Sequence, residues 1–272
     1  VFSNGIMILL FLLSMEVVML GQYDSTSRSE AAKFPWPEGK KCAVSLSFDD
    51  ARPSQLDNGI PILNQHGMKA TFFISPNNLE LRLDDWKKVV SSGHEIGNHS
   101  MTHPCSGNFT WSRDNALENH TIDTIRADLE SANRFLQEKL GIVPVSFAYP
   151  CGQKFVGRGE AVQSYVPVVL KLFHSGRGWL DESSNSPRFV DFGQVLGMEL
   201  DGLSFEEAKT LIDKAAEEGH WLVLCGHDIG DAAPQTTLSE TLESICQYVS
   251  APENAIWMDT IEKVGAFIRK NR

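Results

Sequence analysis

Beyond residue 40, short apolar runs rich in β-branched and aromatic residues alternate with stretches whose apolar positions recur every three or four residues. The runs at 42–48 (CAVSLSF), 69–75 (KATFFIS), 94–99 (HEIGNH), 145–149 (VSFAY), 173–178 (FHSGRG), 221–226 (WLVLCG) and 255–258 (AIWM) read as strands. The clearest helical pattern covers 118–140. There Ile122, Ile125, Leu129, Ala132, Leu136 and Leu140 share one face, and Gly141 follows as a stop. Shorter helical patterns fall at 56–67, 81–93, 160–172, 205–219 and 238–249. Ser204 with Glu207 makes a capping box, and Asp259 with Glu262 is expected to cap a final helix. This β-then-α order predicts an α/β fold with a mostly parallel sheet and helices outside. Seven strands within 41–272 predict a distorted (β/α) barrel with about seven parallel strands; a doubly wound open sheet is the alternative.

The amino-terminal residues depart from this pattern. The run at 6–20, IMILLFLLSMEVVML, is interrupted by Glu16 and is shorter than the ~20 residues of a membrane span. It predicts an export signal over 1–21, then a flexible linker over 22–40 and one folded domain over 41–272. Export implies a secreted, periplasmic or cell-envelope location, with no stable membrane span in the mature protein. A formal net charge of −11 excludes nucleic acid as the expected partner, because that binding needs a basic surface. The five cysteines contain no C-x-x-C pair, which argues against a cysteine zinc site and leaves any disulfide pairing open.

In a parallel barrel, functional groups gather at the carboxyl ends of the strands. Those ends carry Asp49-Asp50, His99 with His103, Tyr149 to Gly152, Arg177 with Trp179, and His227-Asp228. His99 and His103 share a face if the turn between them is helical. A metal held by two imidazoles needs a third, preferably anionic ligand. Successive strand residues point to opposite sides, so Asp49 and Asp50 are expected to play different roles, one at the metal and one at the water.

SFDD (47–50), HSMTH (99–103), YPCG (149–152) and LCGHD (224–228), in this order, resemble the motifs of the polysaccharide deacetylases, the NodB homology domain of carbohydrate esterase family 4. The likeness covers roughly residues 40–270. It implies a divalent metal, commonly zinc, with cobalt or nickel as alternatives, held by Asp50, His99 and His103. It also implies Asp49 as catalytic base, His227 as general acid, and the backbone N–H of Cys151 as oxyanion donor. The substrate would be a glycan carrying N- or O-linked acetyl groups. One departure bears on the base. FAYPCG has Ala148 where the family has a base-orienting Arg, and Cys151 where it has an aromatic residue. Arg177 is the first candidate for the missing partner, with Arg158 and Arg52 as alternatives. A glycan-binding protein that keeps the fold and metal site without turnover is the competing reading. The polar segment 104–120 either shapes the cleft or is a surface insertion, and Trp111 and Trp179 are candidates for sugar stacking or for the core.

Overall fold

Residues 33–272 are described by the computed structural model, and every one of the seven apolar runs contains a strand. These are β1 (Cys42–Asp49), β2 (Thr71–Ile74), β3 (Glu95–Asn98), β4 (Ser146–Ala148), β5 (Ser175–Arg177), β7 (Trp221–Gly226) and β8 (Ile256–Met258); the two-residue β6 (Met198–Glu199) joins them. Lateral order is β5-β4-β3-β2-β1-β7-β6, all parallel, with β8 paired to the start of β1. The two edges approach each other. Val195 forms a parallel bridge with Arg177 on β5, and the Leu200 N–H donates to the carbonyl of Cys225 on β7 at 2.8 Å. The stretch 195–200 therefore spans the seam, and the sheet curls into a distorted barrel. Gly197 sits in that seam. A Cβ there would lie 2.4 Å from the Gly178 carbonyl oxygen, 2.6 Å from Cys225 Sγ and 2.7 Å from Arg177 Cδ.

Besides the one-turn helix Pro76–Leu79, the α-helices of the described residues are α1 (Ile60–Gln65), α2 (Leu83–Ser91), α3 (Ile122–Leu140), α4 (Val166–Leu172), α5 (Phe205–Glu218), α6 (Ser239–Ser250) and α7 (Ile261–Asn271). The Ser204–Glu207 capping box opens α5 as read from the sequence. Three boundaries differ. Thr121 caps α3, so the helix starts four residues after 118. The pattern over 160–172 contracts to α4, because Gln163–Ser164 pairs with Phe155–Val156 in a small hairpin and Pro167 suits the first turn of a helix. Thr260, not Asp259, caps α7, accepting from the Lys263 N–H. The stretch expected to be flexible up to residue 40 is packed from Phe34 onward: Phe34 and Trp36 are buried, and Trp36 Nε1 donates to the Gly219 carbonyl at 3.0 Å. The apolar run at 6–20 and most of the expected linker lie outside the described residues. Among the described residues no helix is long and apolar enough to cross a membrane.

Strand alternation divides the core. Val44, Leu46 and Phe48 of β1 join Phe72, Leu222 and Leu224 under α3, α5 and α6. Ala43 of β1 joins Phe73, Ala148, Val223 and Cys225 on the opposite, inner face. This alternation places Asp49 inside the barrel at its carboxyl rim. Gly197→Ala is expected to destabilise the fold by about 1–3 kcal/mol, since the seam has no room for a methyl group. Gly230→Ala, whose nearest neighbour would lie 3.7 Å away, should stay within about 0.5 kcal/mol. Denaturant unfolding of both variants checks this contrast.

Candidate active site and metal centre

Asp49 ends β1 on the inner face and is buried. Asp50 leaves the strand with φ +74°, a conformation that costs a non-glycine residue on the order of 1 kcal/mol or more. Two bonds hold it there. Its N–H donates to the Phe73 carbonyl at 3.0 Å, and its own carbonyl accepts from Asn78 Nδ2 at 2.9 Å.

The turn after β3 is a bend and not the helical turn the histidine spacing suggested, with φ +64° at Ser100 and +51° at His103. Side chains build it where helix bonds are missing. Asn98 Oδ1 accepts from the Ser100 N–H at 2.6 Å, and Ser100 Oγ from the His103 N–H at 2.9 Å. Asp128 on α3 accepts from the Met101 N–H and from Thr102 Oγ1. His99 Nδ1 donates to the Ala148 carbonyl at 2.9 Å. A carbonyl only accepts, so Nδ1 carries the proton and Nε2 keeps its lone pair.

His99 Nε2 and His103 Nε2 stand 3.2 Å apart, with Asp50 Oδ1 at 3.7 Å and 3.6 Å from them. Among the described residues these three form a cluster whose ligand atoms all lie within 4.8 Å of one another. Two imidazole lone pairs that face each other repel unless a proton or a cation lies between them. Two nitrogens and one carboxylate oxygen form a donor set that suits zinc and its first-row neighbours, so a divalent cation fits here. Arg52 ties down the other Asp50 oxygen, Oδ2, at 3.1 Å, and also bonds Asp228 Oδ2 at 2.7 Å and Gln235 Oε1 at 2.9 Å.

Arg177 is fully buried, donates through Nη2 to Asp49 Oδ1 and through Nη1 to the Gly178 carbonyl, and lies over the Phe73 ring at 4.9 Å. Ala148 is its register partner on β4, so the small side chain leaves space on that level of the barrel. Arg52 is committed to Asp50 and Asp228, and Arg158 bonds Asn119 Oδ1 at 2.9 Å. Burial alone would raise the Asp49 carboxyl, but Arg177, helped by His99 and His227, holds it at about 2. Its second oxygen, Oδ2, lies 3.8 Å from His99 Nε2.

His227 Nδ1 bonds Asp201 Oδ2 at 2.7 Å, and the His227 N–H donates to Asp201 Oδ1, which also accepts from Thr237 Oγ1. Trp179 packs edge-on against the imidazole at 5.2 Å. Burial would lower the His227 pKa, yet the Asp201 bond and the field of Asp49 raise it above the ordinary value. Asp49, the three cluster residues, His227 and Cys151 all line one cavity of about 400 Å³. Cys151 adopts φ +53° and is disulfide-bonded to Cys105, two residues after His103. Cys42, Cys225 and Cys246 are free and buried.

A family model described as polysaccharide deacetylase matches residues 37–164. Over 97 residues the chain is 34% identical to a peptidoglycan-N-acetylglucosamine deacetylase of Bacillus cereus, a match covering 30% of this chain and 34% of the relative. A solved structure assigned to the polysaccharide deacetylases, from Mycobacterium smegmatis, superposes with a TM-score of 0.64 at 18% identity, covering 88% of this chain and 94% of that one. Residues 37–164 are thus similar to the polysaccharide deacetylase family. A family 4 acetyl xylan esterase from Clostridium thermocellum, solved with a cobalt ion, shares the fold at a TM-score of 0.54 and 20% identity over 83% of this chain and 91% of that one. The chain spans about a third or less of the length of the first curated relatives it matches.

Within this site, Asp201 and the Cys105 pairing escaped the sequence reading, and Arg52 was given a different role. Asp201 follows the two-residue β6, too short to show alternation. Arg52 was weighed only as a partner for Asp49, and its bond to Asp50 depends on the positive φ of Asp50 and Ala51. Cys105 had no visible partner, because its mate lies 46 residues away. Arg52→Ala is expected to weaken zinc binding about tenfold or more, as loss of a group that orients a metal ligand does. Competition with a chromogenic chelator measures it, and unchanged affinity would remove Arg52 from the metal centre.

Proposed function

We propose that this domain hydrolyses N- or O-linked acetyl groups on a carbohydrate, using a divalent cation, zinc foremost, held by Asp50, His99 and His103. One observation carries the reading. A carboxylate held ionised by Arg177 and an imidazole whose pKa is raised by Asp201 line the same cavity as the cation cluster. A protein that only binds glycans has no use for a proton acceptor and a proton donor facing one ligand.

When bound, the cation supplies Lewis acidity, which polarises an acetyl carbonyl and lowers the pKa of water. Asp49 Oδ2, the oxygen that Arg177 leaves free, accepts the proton of the attacking water. Arg177 fixes the carboxylate plane, and burial keeps that orientation. His227 Nε2 is the ring nitrogen not engaged by Asp201, and it delivers a proton to the leaving nitrogen or oxygen. The Cys151 N–H, on the cavity wall, is assigned to the developing oxyanion. A glycan-binding protein without turnover remains the second reading, favoured by Ala148 in place of the family's Arg. The Arg177–Asp49 pair supports turnover over it. We also assign the protein to the cell exterior or envelope, a reading supported by the apolar run at 6–20 and by the Cys105–Cys151 disulfide, a bond typical of oxidising compartments.

The direct test is acetate release from a panel of acetylated glycans, with and without a chelator. Metal-dependent release is expected, and release indifferent to the chelator would contradict the mechanism. Asp49→Asn should lower kcat about 10²–10⁴-fold while zinc stays bound. Arg177→Ala leaves a buried carboxylate without its partner and should cost about 3–5 kcal/mol of stability as well as most of the activity. Replacing both residues, Asp49→Asn with Arg177→Ala, should recover part of that stability. Asp201→Asn removes the bond that raises the His227 pKa, so the alkaline limb of the pH–rate profile should move to lower pH. A limb that stays in place would exclude His227 as the acid.

A further inference from the structure

The Cys105–Cys151 disulfide joins two parts of the site that lie 46 residues apart in sequence. Cys105 follows His103 by two residues, and Cys151 is the residue whose N–H is assigned to the oxyanion. The backbone is left-handed at both places, with φ +51° at His103 and +53° at Cys151. A non-glycine residue stays in that conformation where its surroundings fix it. A bridge that served stability alone could close the chain at many places. This one ends on both sides of the proposed chemistry.

Cys105 is the fixed end. It is fully buried, its N–H donates to Ser112 Oγ at 3.0 Å, and its carbonyl accepts from Ser112 Oγ at 2.9 Å and from the Leu117 N–H at 3.0 Å. Beside the bridge, the Ser106 N–H donates to Gln153 Oε1 at 2.7 Å, a second tie between the same two segments. The segment 104–120 is therefore part of the frame of the site, and Phe109 and Trp111 line the cavity from it.

The bridge also stands behind the cation cluster. Cys105 Sγ lies 3.8 Å from His103 Nδ1, while Nε2 of the same ring faces His99. A cation held at Nε2 leaves the ring proton on Nδ1. His99 gives that proton to the Ala148 carbonyl; His103 has the sulfur. A disulfide sulfur bears no hydrogen, so it meets the N–H as an acceptor, though a weak one. A thiol at the same place could turn its own hydrogen toward Nδ1 and leave the ring proton on Nε2, where the cation belongs. An alkyl side chain would offer nothing.

We propose that the Cys105–Cys151 disulfide is a positioning element of this site. It aligns His103 for the cation and Cys151 for the oxyanion, and the site is complete only while the bridge is closed. The two sulfurs act through other groups, one through the His103 ring and one through the Cys151 backbone. The oxyanion half rests on the hydrolase reading above; the His103 half rests on the cation cluster alone.

The test compares wild type with Cys105→Ala/Cys151→Ala and with Leu242→Ala, which opens a cavity in the outer core on α6 and lowers stability away from the site. Circular dichroism establishes that each protein is folded at the temperature used. If the alanine pair does not fold, Cys105→Val/Cys151→Ala takes its place. Zinc affinity is read by competition with a chromogenic chelator. The cobalt-substituted proteins are read by visible absorption, which reports coordination geometry. Loss of the bridge should weaken zinc binding about tenfold, the lower end of what losing the partner of a ligating histidine costs, and should shift the cobalt bands. At saturating zinc, kcat should fall about tenfold or more with KM unchanged, as for a displaced oxyanion donor. Leu242→Ala should change none of these. Zinc affinity and cobalt bands equal to those of wild type overturn the His103 half, and a kcat equal to that of wild type overturns the Cys151 half. If Leu242→Ala reproduces the losses, the bridge is a staple for stability and the proposal falls. If wild type releases no acetate from any substrate, the hydrolase reading fails, and zinc affinity with the cobalt bands still decides whether the bridge positions His103.

Discussion

Two imidazole nitrogens face each other 3.2 Å apart with a carboxylate oxygen beside them, and the rim of the barrel is organised around that contact. The contact requires a proton or a cation between the two nitrogens, and Asp50, Ser100 and His103 all carry positive φ angles that cost non-glycine residues free energy. Each element is held by a bond from outside the cluster: His99 by the Ala148 carbonyl, the His103 N–H by Ser100 Oγ, and Asp50 by Arg52 and Asn78. A divalent cation held by Asp50, His99 and His103 would offset that cost.

Beside it, two pairings act on protonation in opposite senses in one cavity: Arg177 lowers the Asp49 pKa and Asp201 raises that of His227. Asp49 is kept ionised by a guanidinium that has no exposure to water, and the barrel accommodates that guanidinium because Ala148 and Gly197 leave it space. A charge so deeply buried survives only while its partner does. The two pairs also pull stability in opposite directions with pH. Asp49, lowered to about 2, contributes stability above the ordinary carboxylate pKa of about 4, and this is lost as pH falls toward 2. His227, raised, contributes fully below the ordinary imidazole value, and this is lost as pH rises through its elevated pKa. The domain is thus favoured between those limits, where its proposed base is charged and its proposed acid still holds a proton.

Much of this was legible in the chain. The strands were visible because β1, β2 and β7 are short runs rich in apolar residues, and the inward placement of Asp49 follows from alternation along β1. Arg177 was accessible as a polar residue at a strand end. What escaped depends on backbone geometry that periodicity does not encode. The histidine pair reads as a helical turn by spacing, yet a bend built by Asn98 and Ser100 brings the rings together. Asp201 and the seam at 195–200 lie in a region with two strand residues and no pattern. The mate of Cys105 required the fold. Thr260 displaced Asp259 as a cap by a single residue, a distinction that side-chain chemistry alone does not make.

The proposed cation site is central to this account, and cation uptake is the most direct measurement. Zinc titrated by calorimetry into metal-stripped protein should bind at one equivalent per chain, and His99→Ala/His103→Ala should abolish that binding without unfolding the barrel. A wild-type protein that takes up no zinc, cobalt or nickel, or a double variant that binds as tightly as wild type, would contradict the assignment of Asp50, His99 and His103 as the metal centre.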